Sequence, residues 1–261
     1  MGWSPSNDIR FRWIEDIPRS GSLHMAIDDW LTLNRNEAII RLYDWLPQTV
    51  SLGFHQKSER IDFEKLNALG LGICRRPTGG RTVVHDAVVT YSVIVPLNGK
   101  SEPSLWDLYH WVGEWWADAL HSIGVPVEFV AEPLSRPGAQ FDGCFASGNR
   151  YEVAVNGRKL LGSAQRRYSN AALQHGSLRL KEPRIQARNI FFESNPNEPD
   201  ESSVATTMEE ALGRTIDAKT VYAWLKGAFL SKGYSIFDSE ITTEELELAS
   251  LEQDTFRITT K

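Results

Sequence analysis

Residues 151–164 read YEVAVNGRKLLGSA, two β-prone runs joined by Asn156-Gly157. An Asn-Gly pair between such runs commits the chain to a tight hairpin, because the two-residue turn that matches strand twist needs positive φ at both central positions. Counting outward sets a register, with Val155 opposite Arg158, Ala154 opposite Lys159 and Val153 opposite Leu160. Val153, Leu160 and Tyr151 then share one apolar face. Lys159 falls on the other face beside small Ala154, with space above it for a ligand, and is expected to matter to chemistry more than to folding. The small residues that follow, Gly162, Ser163 and Ala164, let something other than protein come close to the strand.

Around this hairpin the pattern is that of mixed, largely antiparallel sheets with packed helices, an α+β fold. GSLHMAIDDWLTL (21–33) predicts an early helix capped by Ser22. AIIRLYDW and TVSLGF read as strand, turn and strand around Pro47, and DFEKLNALGLGICRR as a short helix stopping near Gly70 before another strand. TVVHDAVVTYSVIVPL holds two strands bent at Asp86-Ala87. SLWDLYHWVGEWWADALHSIG (104–124) is the clearest helix, ended by Gly124, and SNAALQHGSLRL returns as a strand. SNPNEPDESS, residues 194–203, has a linker's composition. Residues 200–261 are expected to be a helical, acidic extension of a single catalytic domain spanning 1–261.

Two further stretches invite chemistry. In RRPTGGRTVVHD (75–86), Gly79 and Gly80 let backbone pass close to a ligand, and Arg75, Arg76 and Arg81 could hold a carboxylate or phosphate. The spacing is not that of a P-loop. In DGCFASGNRYE (142–152), Cys144 sits among polar and glycine residues, where a thiol is out of place as a core hydrophobe. The other of the two cysteines, Cys74, lies in an apolar strand and reads as structural. Two cysteines build no disulfide framework, and the six histidines show no metal-ligand spacing, so no metal is expected. No run of about 18 apolar residues is present to span a membrane, and a reducing cytoplasm suits the chain best.

Charge is unevenly spread. Residues 136–188 hold ten Lys and Arg against three acidic residues, and residues 189–261 hold six against fourteen. A pI near 5.6 and the lack of a stacking-rich RNA motif argue against nucleic acid. An acidic protein partner suits the basic middle better.

Taken together, MAID (25–28), RLYDW…TVSLGFHQ (41–56), RRPTGGRTVVHD, NGRKLLGSAQRR (156–167) and LQHGSLRL (173–180) resemble, in order, the lipoate and octanoate transferase/ligase family. That family shares its catalytic-domain fold with biotin protein ligases. Cys144, in a "CF…YE" loop before the "GRK" hairpin, makes the chain look most like octanoyltransferases of the LipM type, which form an acyl-thioester. The resemblance implies Cys144 and Lys159 as catalytic residues. It places Arg75, Arg76, Gly79, Gly80, His85, Gly162, Ser163, Ala164, His175 and Gly176 around the substrate. The implied donor is an octanoyl-acyl carrier protein. The implied acceptor is a lysine of a lipoyl-type domain, in a glycine cleavage H protein or a 2-oxoacid dehydrogenase E2 subunit.

The chemistry agrees with those residues. Moving octanoyl from a carrier thioester to Cys144 exchanges one thioester for another, so no cofactor is expected. A nearby cation such as Lys159 favours the thiolate and can polarise the acyl carbonyl. Three alternatives stay open: an ATP-dependent lipoate–protein ligase, which would use ATP and Mg and dispense with Cys144; an amidotransferase between carrier domains; and a non-catalytic family member.

Overall fold

The structure, a computed structural model, describes residues 3–97, 102–130, 142–145, 152–193 and 195–259. Its elements run β1 (Arg10–Glu15), α1 (Gly21–Asn34), β2 (Ile39–Tyr43), β3 (Thr49–Leu52), α2 (Phe63–Ala68), β4 (Gly72–Arg75), β5 (Val83–His85) and β6 (Val88–Pro96). There follow α3 (Leu105–His121), β7 (Val127–Val130), β8 (Glu152–Val155), β9 (Arg158–Arg167) and β10 (Ala171–Arg179). The chain ends with α4 (Glu201–Val204), α5 (Met208–Leu212), α6 (Ala218–Ser231), β11 (Ser235–Ser239) and α7 (Thr243–Leu251). Eight strands form one sheet, in the order β11-β1-β2-β6-β10-β9-β8-β7, and β4-β3-β5 form a second. β1 pairs in parallel with β2 and β11; the other neighbours of the large sheet are antiparallel.

The central strands are buried on both faces, so alternation sorts their side chains between two layers. Ile40, Leu42, Val89, Tyr91, Val93 and Leu178 meet α3 and α6 in an aromatic-rich core with Trp115, Trp116 and Phe229. Ile39, Ile94 and Leu173 face α1 through Ile27 and Leu31. Helix α1 also touches the small sheet, with Met25 near Cys74, Tyr43 and Trp45. It is therefore wedged between the two sheets.

Several local expectations change. β2 and β3 form as the strand, turn and strand expected around Pro47, and each enters a different sheet. Ser20, not Ser22, precedes α1, and Ser22 is buried inside it, its Oγ accepting from Gln253 Nε2 at 2.8 Å. The sequence reading gave no strand to residues 10–15 or 235–239, yet these pair along the sheet edge. What hid β1 is Arg12, which is buried and bonded to both carboxylate oxygens of Glu245 in α7, at 2.7 and 2.8 Å. The stretch read as a linker carries buried Glu198 and Glu201.

The hairpin turn lies at Asn156 and Gly157, with φ of 51° and 71°. Ala154 faces Lys159 as expected, but Val153 pairs with Leu161, because a bulge leaves Leu160 as an extra residue. Leu160 and Leu161 consequently both enter the α3 core. Alternation is reset by one residue, and Lys159 shares a face with Gly162. A Cβ at Gly162 would touch Lys159 Cε at 3.4 Å. Tyr151, expected on the apolar face, lies outside the described residues.

Candidate active site

Three neighbouring strands put polar groups where buried strands ordinarily carry aliphatic ones. Their registers align two rows on the α1 face: Arg41, Ser92, His175 and Ala164, then Tyr43, Thr90, Ser177 and Gly162. Asp28 reaches into these rows from α1. It accepts from Arg41 Nη1 at 2.7 Å, Ser92 Oγ at 2.9 Å and Tyr43 Oη at 2.9 Å. Burial would raise the Asp28 carboxyl, but Arg41, then His175 and Ser92, override it and hold it at about 2. The fully buried rows are thus a satisfied, charged lattice that fixes the floor.

On this floor stand the two expected histidines. His175 Nε2 meets Thr78 Oγ1 at 2.6 Å, and its Nδ1 lies 3.6 Å from Asp28. His85 stacks on Trp45 at 3.9 Å and joins Ser51 Oγ at 2.8 Å to Ser177 Oγ at 3.2 Å. Burial lowers both pKa values, that of His85 well below the usual histidine range, while Asp28 partly opposes the shift at His175. In both, burial disfavours the charged imidazolium. They line a narrow, largely apolar cavity together with Met25, Tyr43, Trp45, Val83, Ala164 and Gly176. Gly176 must lack a side chain, since a Cβ there would run into Gly162 O and Tyr91. Tyr91 Oη in turn meets Ser163 Oγ at 2.7 Å, behind the sheet from the cavity.

Cys144 and Phe145 also line this cavity. Lys159 Nζ lies 4.0 Å from Cys144 Sγ and donates to Cys144 O at 3.2 Å; only 1% of Lys159 is exposed. Lys159 Nζ lies 5.6 Å and the Arg179 guanidinium 5.1 Å from the ring centre of Phe145. Cys144 N donates to Thr82 O at 2.8 Å, and Thr82 N to Asp142 O at 3.0 Å. The preceding amides, Asp142 N and Gly143 N, donate to Glu198 at 2.7 and 2.8 Å. Arg60 clamps the Asp142 carboxylate with two bonds of 3.1 Å. At Gly143 an added Cβ would sit 2.8 Å from Glu201 Oε1 and 3.1 Å from Glu198 Oε1. Only glycine lets the two carboxylates come so near. The amides of 142, 143 and 144 are engaged within the protein, and the Lys159 ammonium stands beside the sulfur, where a positive charge can stabilise a developing oxyanion.

The glycine loop has a different construction from the one expected. Arg76 is buried, and its guanidinium donates to the carbonyls of Ser51, Gly79 and Arg81, so the loop at Gly79-Gly80 wraps around it. Arg75 Nη1 donates to the carbonyls of Gly53, Phe54 and Gln56. Both fasten backbone, and Arg76 also lines the cavity beside the two histidines. Burial pushes the Cys74 thiol up to about 12, in keeping with an inert core residue. Among the described residues no cluster of His, Cys, Asp or Glu is arranged to hold a metal, and no helix is long and apolar enough to cross a membrane.

Sequence reasoning missed Asp28, Phe145, Ser177 and Glu198. The first three carried a signal, a polar residue in a buried run or an aromatic beside the thiol. Glu198 carried none.

A thiol on the wall of a largely apolar cavity with an ammonium beside it is the equipment of an acyl-transferring enzyme. Residues 20–230 match the lipoyl protein ligase A/B catalytic domain. The octanoyltransferase LipM of Kyrpidia tusciae is 34% identical over 251 residues, covering 88% of this chain and 90% of that protein. That of Geobacillus kaustophilus is 32% identical over 262 residues, covering 93% of each. A lipoate-protein ligase A solved with ATP superposes with a TM-score of 0.75 over 94% of both chains at 17% identity, a likeness of fold. The chain belongs to the lipoyl protein ligase A/B catalytic-domain family.

Proposed function

We propose that this protein is an octanoyltransferase of lipoate biosynthesis that carries the acyl group on Cys144. The observation that carries this reading is the Lys159 ammonium 4.0 Å from the sulfur of Cys144, a residue that lines a largely apolar cavity. The relatives named octanoyltransferase LipM support the acyl group.

In the first half-reaction the Cys144 thiolate attacks the carbonyl carbon of an octanoyl thioester on an acyl carrier protein. The carrier sulfur leaves and takes a proton. Lys159 stands where it can stabilise the thiolate and then the oxyanion, while the octanoyl chain occupies the cavity between Trp45, Met25 and Ala164. In the second half-reaction a lysine amine of a lipoyl-type domain attacks the new thioester, forming the amide and returning the thiol. A lipoate ligase of Thermoplasma acidophilum was solved as part of a system with its E2 lipoyl domain, which supports an acceptor of that type. An H protein or an E2 domain would serve alike. Thioester exchange requires no nucleotide and no other cofactor.

The test is incubation with octanoyl-carrier and acceptor domain, without ATP, followed by intact-mass analysis. One octanoyl adduct is expected on the protein, none on Cys144→Ala, and amide on the acceptor. Transfer by Cys144→Ala at the full rate, or transfer only from free octanoate with ATP, would replace this reading with the ligase one. Transfer only from an octanoylated carrier domain would replace it with the amidotransferase one.

A further inference from the structure

Next to the loop that carries Cys144 lies a second, open groove, lined by His55, Lys57, Arg60, Gly80, Arg81 and Asp142 among others. The contact between Thr82 and the 142–144 loop joins the two: Arg81 and Asp142 line the groove, Val83 and Cys144 the cavity. Arg81 immediately precedes Thr82. Lys57 follows Gln56, whose Nε2 donates to Thr82 Oγ1 at 3.1 Å. The two side chains therefore flank the strand to which the nucleophile loop is pinned.

Most cations near the site are already spent. Arg75 and Arg76 hold backbone carbonyls, Arg60 holds Asp142, and Arg166 donates to Pro77 O while stacked between Phe54 and Tyr168. Lys57 and Arg81 have no ion-pair or hydrogen-bond partner for their heads among the described residues, and neither is buried. Two unspent cations, in a groove next to the loop that carries the nucleophile, form an anion subsite on the donor side.

We infer that this groove binds the phosphodiester of a phosphopantetheine arm, with Lys57 and Arg81 as its ligands. The inference rests on the thioester-donor reading given above. Of the two substrates in that reading only the donor bears a phosphate; the acceptor lysine brings none. The subsite holds the arm outside while its thioester end turns past Thr82 to Cys144, so anion binding and acyl binding occupy opposite sides of one loop.

Three donors separate this subsite from its rivals: octanoyl-carrier, octanoyl-phosphopantetheine and octanoyl-pantetheine, which lacks the phosphate. For Lys57→Ala/Arg81→Ala, the KM for both phosphate-bearing donors should rise about fivefold or more, as loss of two exposed charge-assisted contacts implies. KM for octanoyl-pantetheine, and kcat for all three, should stay unchanged. In the unaltered protein, raising salt should raise the KM for octanoyl-phosphopantetheine and spare that for octanoyl-pantetheine, a check independent of how the variant folds. An equal rise with octanoyl-pantetheine, no rise at all, or a rise confined to the intact carrier would each overturn the phosphate subsite; the last would mark a protein-docking surface. If the unaltered protein forms no Cys144 adduct from any donor, it is the transferase reading that fails.

Discussion

Lys159 shows how burial changes the meaning of a residue. From the hairpin alone its loss looked harmless to the fold. In the structure it is enclosed by Phe145, Gly162 and the Cys144 carbonyl. Lys159→Ala should therefore cost roughly 2–3 kcal/mol in urea unfolding, the penalty of a buried cavity. Lys159→Met keeps the stem and should leave stability near that of the parent. Its rate of Cys144 acylation should still fall about 100-fold or more, as for a lost oxyanion donor. A Met variant that acylates at the parental rate would remove the ammonium from the mechanism. Glu198 offers a matching test, since an amide in place of its carboxylate leaves one acceptor for two N–H groups. Glu198→Gln should slow acylation about tenfold or more, read by mass spectrometry over time, because small displacements of a nucleophile are costly. Unchanged acylation would reduce Glu198 to a structural tie. Cys144 and Lys159 were legible because their residue types are rare in such surroundings. Glu198 was not, because it acts on backbone amides across 55 and 56 residues of sequence, and no local pattern encodes that.

Among the elements, those with strong local signals were readable: the hairpin, α3, β6 and β10 all form where periodicity and turn residues place them. Those set by long-range charge were not. β1 places Arg12 in the interior only because α7 supplies Glu245, more than 200 residues later. The C-terminal stretch consequently includes a sheet strand and a buried ion-pair partner, not helices alone. Glu245→Ala should destabilise the protein by roughly 3 kcal/mol, the cost of leaving a buried guanidinium short of its partner. A loss below about 1 kcal/mol in urea unfolding would mean that Glu37 and the Glu240 carbonyl suffice for Arg12. The bulge at Leu160 was also beyond reach. An Asn-Gly turn fixes register near itself, but it cannot report an extra residue absorbed further along by packing against α3.

Across the whole molecule, charge counted along the sequence misled. Arg158, Arg167, Arg179, Arg184 and Arg188 each pair with an acidic residue, namely Glu210, Glu102, Glu182, Asp86 and Asp200. Two others of that stretch, Arg136 and Arg150, lie outside the described residues. Arg167→Glu should accordingly act mainly by setting two carboxylates together at Glu102. The three buried histidines make stability depend on acid. His24 is held at about 3 by burial and by Arg41, and His85 and His175 are also lowered. A lowered histidine means that the unfolded chain binds protons the folded one refuses. Stability is therefore full above about pH 6.5 and falls below it, by up to about 4 kcal/mol per pH unit while all three stay neutral. His85→Gln should flatten the slope of urea midpoints against pH by one proton; an unchanged slope would mean that His85 is protonated in the folded state. Finally, Lys159 grows from the large sheet, whereas Cys144 hangs from Thr82 at the rim of the small one. The reactive pair is thus split between two separately hydrogen-bonded bodies, and its 4.0 Å gap measures how they are seated. Heat that loosens the small sheet should silence the enzyme several degrees before the tryptophan-rich core melts. Acyl transfer and tryptophan fluorescence, followed on one temperature ramp, should therefore part company.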